Sequence, residues 1–142
     1  MDLTTLHEVL AGFNAHDVDA ILAHFTDDAT FDAPRGRDRW GTRYVGKDEI
    51  GRGFHARFDG IPDVRYDEDR HFVAGDRGVS EWRLRGTTTD GTAIDVRGCD
   101  LWEFEGERIV RKDSSIFLSS QIPMKVLDDR YVCSTPRLYI PY

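Results

Sequence analysis

Residues Thr92 to Phe104 read TAIDVRGCDLWEF, and their alternation sets the fold class. One parity holds Ile94, Val96, Gly98, Asp100, Trp102 and Phe104; the other holds Asp95, Arg97, Cys99, Leu101 and Glu103. A period of two is the pattern of a half-buried strand. One carboxylate, Asp100, falls on the apolar parity. A buried charge is costly unless it is paired, hydrogen-bonded or neutralised. Asp100 is therefore either a structural hydrogen-bonder or a group that does chemistry inside a pocket.

Working outward from this strand, the period of two continues on both sides. Strands are expected at 64–73, 79–88 and 109–117, joined by Gly75-Asp76-Arg77-Gly78, Asp90-Gly91 and Gly106-Glu107. Short turns of this chemistry make neighbours antiparallel. Before residue 60 the period is helical. Leu6, Leu10 and Phe13 mark a helix over 3–14, and Asp17 is the N-cap of a short helix carrying Ile21, Leu22 and Phe25. Ile50, Phe54 and Phe58 stripe a helix over 47–58, which Gly51 and Gly53 weaken where something packs closely. Between the helices, Ala29 to Ala33 reads as a short strand stopped by Pro34, followed by a loop to Gly46 rich in Arg and Gly. The expected fold class is α+β: N-terminal helices covering one face of a curved, mostly antiparallel sheet.

With 142 residues, 39% of them hydrophobic and 11% aromatic, the chain suits one domain over 1–142 with a real core. The stretch 119–142 is too apolar for a disordered end and is expected to pack on the barrel or on a partner subunit. A net charge of −7 disfavours nucleic acid and anionic membranes as partners. No apolar run reaches transmembrane length and no basic n-region precedes an apolar block, so a cytoplasmic protein without a membrane span is expected. Cys99 and Cys133 form no CxxC or Cys/His array. His7, His16, His24, His55 and His71 show no metal spacing, so no metal and no cofactor are expected. Residues 34–57 carry seven basic against three acidic side chains. That segment is either a solvated face or an attractor for an anionic substrate group.

The last hairpin carries the chemistry. If Gly106-Glu107 is a two-residue turn, Glu105 pairs with Arg108 and Phe104 with Ile109, and Asp100 then faces Asp113. Their Cβ atoms would lie about 4.5–5.5 Å apart. Two carboxylates in a poorly solvated cleft cannot both ionise easily, which makes an acid/base pair. A longer loop would turn Asp113 to the opposite face. The outward parity, with Cys99, Leu101, Val110 and Ile116, is apolar enough for a subunit contact.

HDVDAILAHFTDDATFDAP (16–34), VGKDEI (45–50) and RGCDLWEFEGERIVRKDS (97–114) resemble the nuclear transport factor 2-like (NTF2-like) superfamily. That superfamily includes ketosteroid isomerases, SnoaL-type polyketide cyclases and limonene epoxide hydrolases, and the resemblance spans roughly residues 3–118. It implies a conical α+β barrel, usually a homodimer, closed at its mouth by helices, and a role in secondary metabolism. Asp100 falls where the isomerases keep a protonated aspartic acid and where the cyclases place a histidine. Asp113 falls where the cyclases keep their acid/base aspartate and the epoxide hydrolases their water-activating one. The isomerase base would fall at Ala33, with Asp32 one residue off, and its tyrosine near Val9. The epoxide hydrolase Arg and Asp fall on Trp82 and Leu84. Isomerisation of ketosteroids and epoxide hydrolysis are thereby disfavoured.

The expected function is cofactor-independent acid/base catalysis (cyclase, isomerase or dehydratase type) on a small apolar carbonyl compound. Asp113 would take the proton and Asp100, protonated, would donate to the developing enolate oxygen. Trp40, Tyr44, Phe54, His55, Trp82 and Trp102 are the candidate substrate-binding residues. The alternative is a non-catalytic ligand-binding or dimerisation module on the same fold.

Overall fold

Six strands form one sheet in the order β2-β1-β6-β5-β4-β3. They span Phe25–Asp38 (β1), Gly41–Val45 (β2), Arg65–Ala74 (β3), Arg77–Thr87 (β4), Ala93–Glu105 (β5) and Arg108–Phe117 (β6). Three helices, Leu3–Ala15 (α1), Val18–Leu22 (α2) and Lys47–Gly60 (α3), cover its inner face. The structure is a computed structural model that describes residues 1–117 and the backbone of two short paired strands, Met124–Leu127 (β7) and Arg130–Cys133 (β8). The expected packing of the 119–142 stretch lies outside the described residues.

The helices and the four-strand meander follow the sequence reading. Asp2 and Asp17 cap α1 and α2, each accepting a backbone N–H from the first turn. Leu6, Val9 and Phe13 of α1 and Ile50 and Phe54 of α3 are buried against Phe25, Phe31, Trp82, Trp102 and Ile109 of the sheet. Burying a side chain of this size contributes about 1.5–3 kcal/mol. Gly53 lies against the Tyr44 ring, 3.2 Å from where a Cβ would sit. The weak helix former is there because an aromatic packs on it.

Two expectations are corrected upstream. Phe25 belongs to β1, not to α2. Pro34 does not stop the strand: β1 continues to Asp38 and turns through Gly41 into β2, so the Arg-rich segment is a hairpin. Pro34 sits where the β1–β2 register shifts, between Ala33 and Asp38, one of the few places a strand tolerates a missing N–H. Gly41 has φ +82, and a Cβ there would strike the Ala33 carbonyl.

β1 lies beside β6 and parallel to it through Asp32↔Asp113. All other neighbours in the sheet are antiparallel. Beyond Asp32 the register between β1 and β6 ends, and the two strands part.

Candidate functional site

The last hairpin begins as the sequence implies. Gly106 has φ +59, Glu105 pairs with Arg108, and Phe104 pairs with Ile109. The next pair is Glu103 with Arg111, so Val110 is an extra residue in β6. Such a bulge moves every later side chain to the other face. Asp100 therefore faces Ser114, and Asp113 faces Leu101 on the outer side. The expected shared hollow of Asp100 and Asp113 is not formed. For the same reason Ile116 pairs with Gly98 and packs toward the core, while Phe117 takes the outward position.

The inward positions build a buried polar centre. Asp100 Oδ1 accepts from Lys112 Nζ and from Ser114 Oγ, each at 2.5 Å, and Asp100 Oδ2 accepts from the Trp82 indole at 3.0 Å. Lys112 is 3% exposed and its Nζ lies 5.0–5.5 Å from the ring centres of Phe31, Trp102 and Phe13. The ammonium donates to the Asp100 carboxylate and to Ser114 Oγ and lies over three aromatic faces, contacts that stabilise a dry cation. With three donors converging on it, the Asp100 carboxyl is an acceptor. The expected role of proton donor to an enolate does not fit this geometry.

A second chain of hydrogen bonds runs from this centre to the rim. The Trp102 indole donates to Ser80 Oγ at 2.8 Å, and Ser80 Oγ lies 2.7 Å from His71 Nδ1. His71 Nε2 lies 2.9 Å from Asp69 Oδ2. Burial pushes the His71 imidazole below its ordinary value, against the pull of Asp69. The sequence shows no Ser/His/Asp arrangement, yet Ser80, His71 and Asp69 stand in one line. Ser80 and His71 are cross-strand partners in β3–β4. Asp69 reaches the line because Glu68, at φ +51, lies in a bulge of β3. Ser80 is sealed in the core, so it orients His71 rather than meeting a substrate.

On the other side, where β1 and β6 part, lies a hollow of about 590 Å³. Its walls include Arg39, Trp40, Arg43, Arg111, Asp113 and Ser114. Ser114 thus joins the hollow to the buried Asp100 centre. Burial raises the Asp113 carboxyl above its ordinary range; Arg111 opposes this, and the charges of Asp32 and Asp100 add to it. Arg111 Nη2 donates to Asp113 Oδ2 at 3.0 Å. Asp32, fully buried, accepts two hydrogen bonds from Arg43 and two from Arg111. Burial disfavours its charge, but the two guanidiniums outweigh that and hold its carboxyl below the ordinary value. Arg39 and Arg43 lie over the Trp40 ring, 5.5 and 4.8 Å from its centre.

Of the expected substrate-binding residues, Trp40 lines the hollow. Tyr44 stacks on Phe31 with ring centres 5.6 Å apart. Phe54 is core, Trp82 and Trp102 hold the buried polar groups, and His55 is exposed to solvent on the outer side of α3. Arg111, Lys112 and Ser114 were not singled out by the sequence, because the one-residue offset of the bulge sets which face each takes. Arg43 entered only as part of the basic segment 34–57.

Helices on the inner face of a curved six-stranded sheet, with a polar centre inside the cone, define an NTF2-like α+β protein. The model of the SnoaL-like domain matches residues 6–112, and the chain belongs to that family. No curated protein sequence matches it. Among solved structures it is similar to an NTF2-like protein of unknown function from Burkholderia pseudomallei K96243. The identity is 23%, the match covers 82% of this chain and 92% of that one, and the TM-score is 0.73. TerC, co-crystallised with polyporic acid, is 19% identical over 81% of this chain and 90% of its own, with a TM-score of 0.70. A polyketide cyclase candidate from Xanthomonas campestris pv. campestris is 17% identical over 84% and 90%, with a TM-score of 0.70. At these identities the likeness speaks for the fold alone. Among the described residues no helix is long and apolar enough to cross a membrane.

Proposed function

We propose that the chain is a cofactor-independent acid/base enzyme acting on a small carbonyl compound bound in the hollow between β1 and β6. The observation that carries this reading is the Asp113 carboxyl, raised by burial at the wall of a 590 Å³ hollow. A carboxylate with a raised pKa is a stronger base than an exposed one. Its Oδ1 accepts no hydrogen bond among the described residues. In this reading Asp113 removes a proton from the carbon beside the carbonyl, and the C–H electron pair moves onto the carbonyl oxygen. Arg39 and Arg43 supply the positive charge that favours the enolate. Return of the proton at another carbon is isomerisation; attack of the enolate carbon on a second carbonyl, whose oxygen then takes the proton back from Asp113, is ring closure. Asp100 acts indirectly, by fixing Ser114 and Lys112 behind the hollow. Trp40 offers an apolar wall, and the compartment is the cytoplasm.

The test is exchange of the α-protons of small 1,3-dicarbonyl compounds in deuterated water, followed by proton NMR with the protein as catalyst. Protein-dependent exchange that saturates with substrate is the expected result. Exchange at the buffer rate for every compound tried removes the catalytic reading.

One observation favours a second reading, a non-catalytic module that pairs with a copy of itself. Leu101 and Phe117 are 48% and 45% exposed on the outer face of the sheet, beside the half-buried Cys99. Exposed apolar side chains on one sheet face suit a homodimer contact. A monomer by light scattering at working concentration counts against it.

A further inference from the structure

His7 of α1 and Asp69 and His71 of β3 meet at the rim of the cone, away from the β1–β6 hollow. His71 Nε2 is 2.9 Å and His7 Nδ1 is 3.8 Å from Asp69 Oδ2, and the three ligand atoms all lie within 4.8 Å of one another. The two imidazole rings meet edge to face with centres 4.5 Å apart. We propose that these three side chains form a binding site for a divalent transition-metal ion, with zinc(II) the ion it suits.

The geometry is close to what the ion requires. Ligands at about 2.0–2.2 Å from a tetrahedral zinc stand roughly 3.3–3.6 Å from one another. The observed separations bracket that span: the exposed His7 ring has to turn inward and the Asp69 carboxylate has to draw back slightly from His71 to close the set. Two imidazoles and one carboxylate are a donor set suited to zinc, and three protein ligands leave a fourth position open to water.

The surroundings prepare one ligand in advance. His71 has a side chain only 3% exposed, yet its Nε2 is directed at Asp69 on the rim. Its Nδ1 is engaged by Ser80 Oγ, which is itself held by the Trp102 indole. A partner on the far ring nitrogen fixes the tautomer and the ring direction of a metal-binding histidine. In the metal-free state Ser80 donates to Nδ1 and Nε2–H donates to Asp69. With zinc on Nε2, the proton moves to Nδ1 and donates to Ser80 Oγ, which still accepts from Trp102. The proton count is unchanged at the imidazole, and the Ser80 oxygen then accepts from both Nδ1–H and the Trp102 indole, its own O–H giving up Nδ1 as acceptor. The backbone also contributes: the bulge at Glu68, with φ +51, sets Asp69 and His71 on one side of the strand facing α1. A left-handed φ at a non-glycine residue is a strain that proteins retain where a local geometry is needed. His7 and Asp69 are 60% and 33% exposed, which gives an ion a way in.

The test is isothermal titration of the metal-free chain with zinc chloride, with cobalt(II) as a spectroscopic probe. One zinc per chain and cobalt d–d bands of imidazole and carboxylate ligation are expected. His7→Gln and Asp69→Asn change exposed groups and should each weaken zinc binding at least about tenfold, and Ser80→Ala should weaken it about 10- to 100-fold. His24→Gln, at the other histidine–carboxylate pair, with Glu8 at 3.5 Å, should leave it unchanged. Absence of stoichiometric binding in the wild type, or undiminished affinity in a folded His7→Gln chain, overturns the proposal.

Discussion

Ser114, not Asp113, stands opposite Asp100 across the last hairpin, with Ser114 Oγ 2.5 Å from the Asp100 carboxylate. The same offset brings Lys112 inward, so the cone holds an ion pair where two carboxylates were expected. Removing one partner of a buried pair leaves an uncompensated charge, at a cost of about 3–5 kcal/mol. Asp100→Ala is expected to destabilise the chain by that amount in urea denaturation. Adding Lys112→Met removes the stranded ammonium and should recover much of the loss. If Asp100→Ala costs less than about 1 kcal/mol, the pair is solvated and the centre is not dry.

Asp113→Asn tests the proposed base. The amide keeps the shape and one acceptor but cannot take a proton. Proton exchange of a dicarbonyl ligand should fall about 10²- to 10⁴-fold while ligand affinity and the folded spectrum stay as they were. Because the Asp113 carboxyl is raised above 3.8, the wild-type rate should rise with pH through a value above that figure. A rate indifferent to this substitution takes Asp113 out of the chemistry.

How much of this was legible follows from where the chain keeps a regular period. The alternation of residues 92–104 and the turn at Gly106 gave the meander, the inward place of Asp100 and the first two pairs of the last hairpin. The helix stripes of Leu6, Leu10 and Phe13 and of Ile50, Phe54 and Phe58 gave the cover. What was hidden are the irregularities. A bulge adds one residue without a composition signal, so Val110 misplaced Asp113, Lys112 and Ser114 together. The bulge at Glu68 hid the meeting of Asp69 and His71 with His7, which also joins residues more than sixty positions apart. Pro34 signalled a stop that an edge hairpin with shifted register does not obey.

Asp32 and Asp113 should pull the acid limb of the stability curve in opposite directions. The Asp32 carboxyl sits below its ordinary 3.8, so it stabilises the fold above the unfolded-state value, and that contribution is lost as pH falls through the folded-state value. The Asp113 carboxyl is raised, so the folded state binds its proton more tightly than the unfolded chain does. That contribution is present at pH below 3.8 and is lost as pH rises through the folded-state value. Asp32→Asn should therefore be less stable than wild type at neutral pH, with the difference closing in acid. Asp113→Asn should gain on wild type as pH rises. Urea midpoints measured across the acid range check both, and parallel curves for the three chains would contradict the assignment.

Gly98 faces the core from the middle of β5, opposite Trp82 and Ile116. A Cβ there would lie 2.3 Å from the Trp82 ring and 2.4 Å from the Ser115 carbonyl. The ring cannot retreat freely, because its indole N–H is committed to Asp100 and it meets the Tyr66 ring edge to face with centres 5.4 Å apart. The carbonyl is backbone of the neighbouring strand and cannot move without parting β5 from β6. Gly98→Ala should therefore destabilise the fold by about 1–3 kcal/mol through overpacking, although alanine is otherwise the better strand residue. It should also disturb the Trp82 fluorescence and, through the indole bond, the Asp100–Lys112 pair. A Gly98→Ala chain as stable as wild type would mean that Trp82 has room to turn, and that its bond to Asp100 does not hold the ring in place.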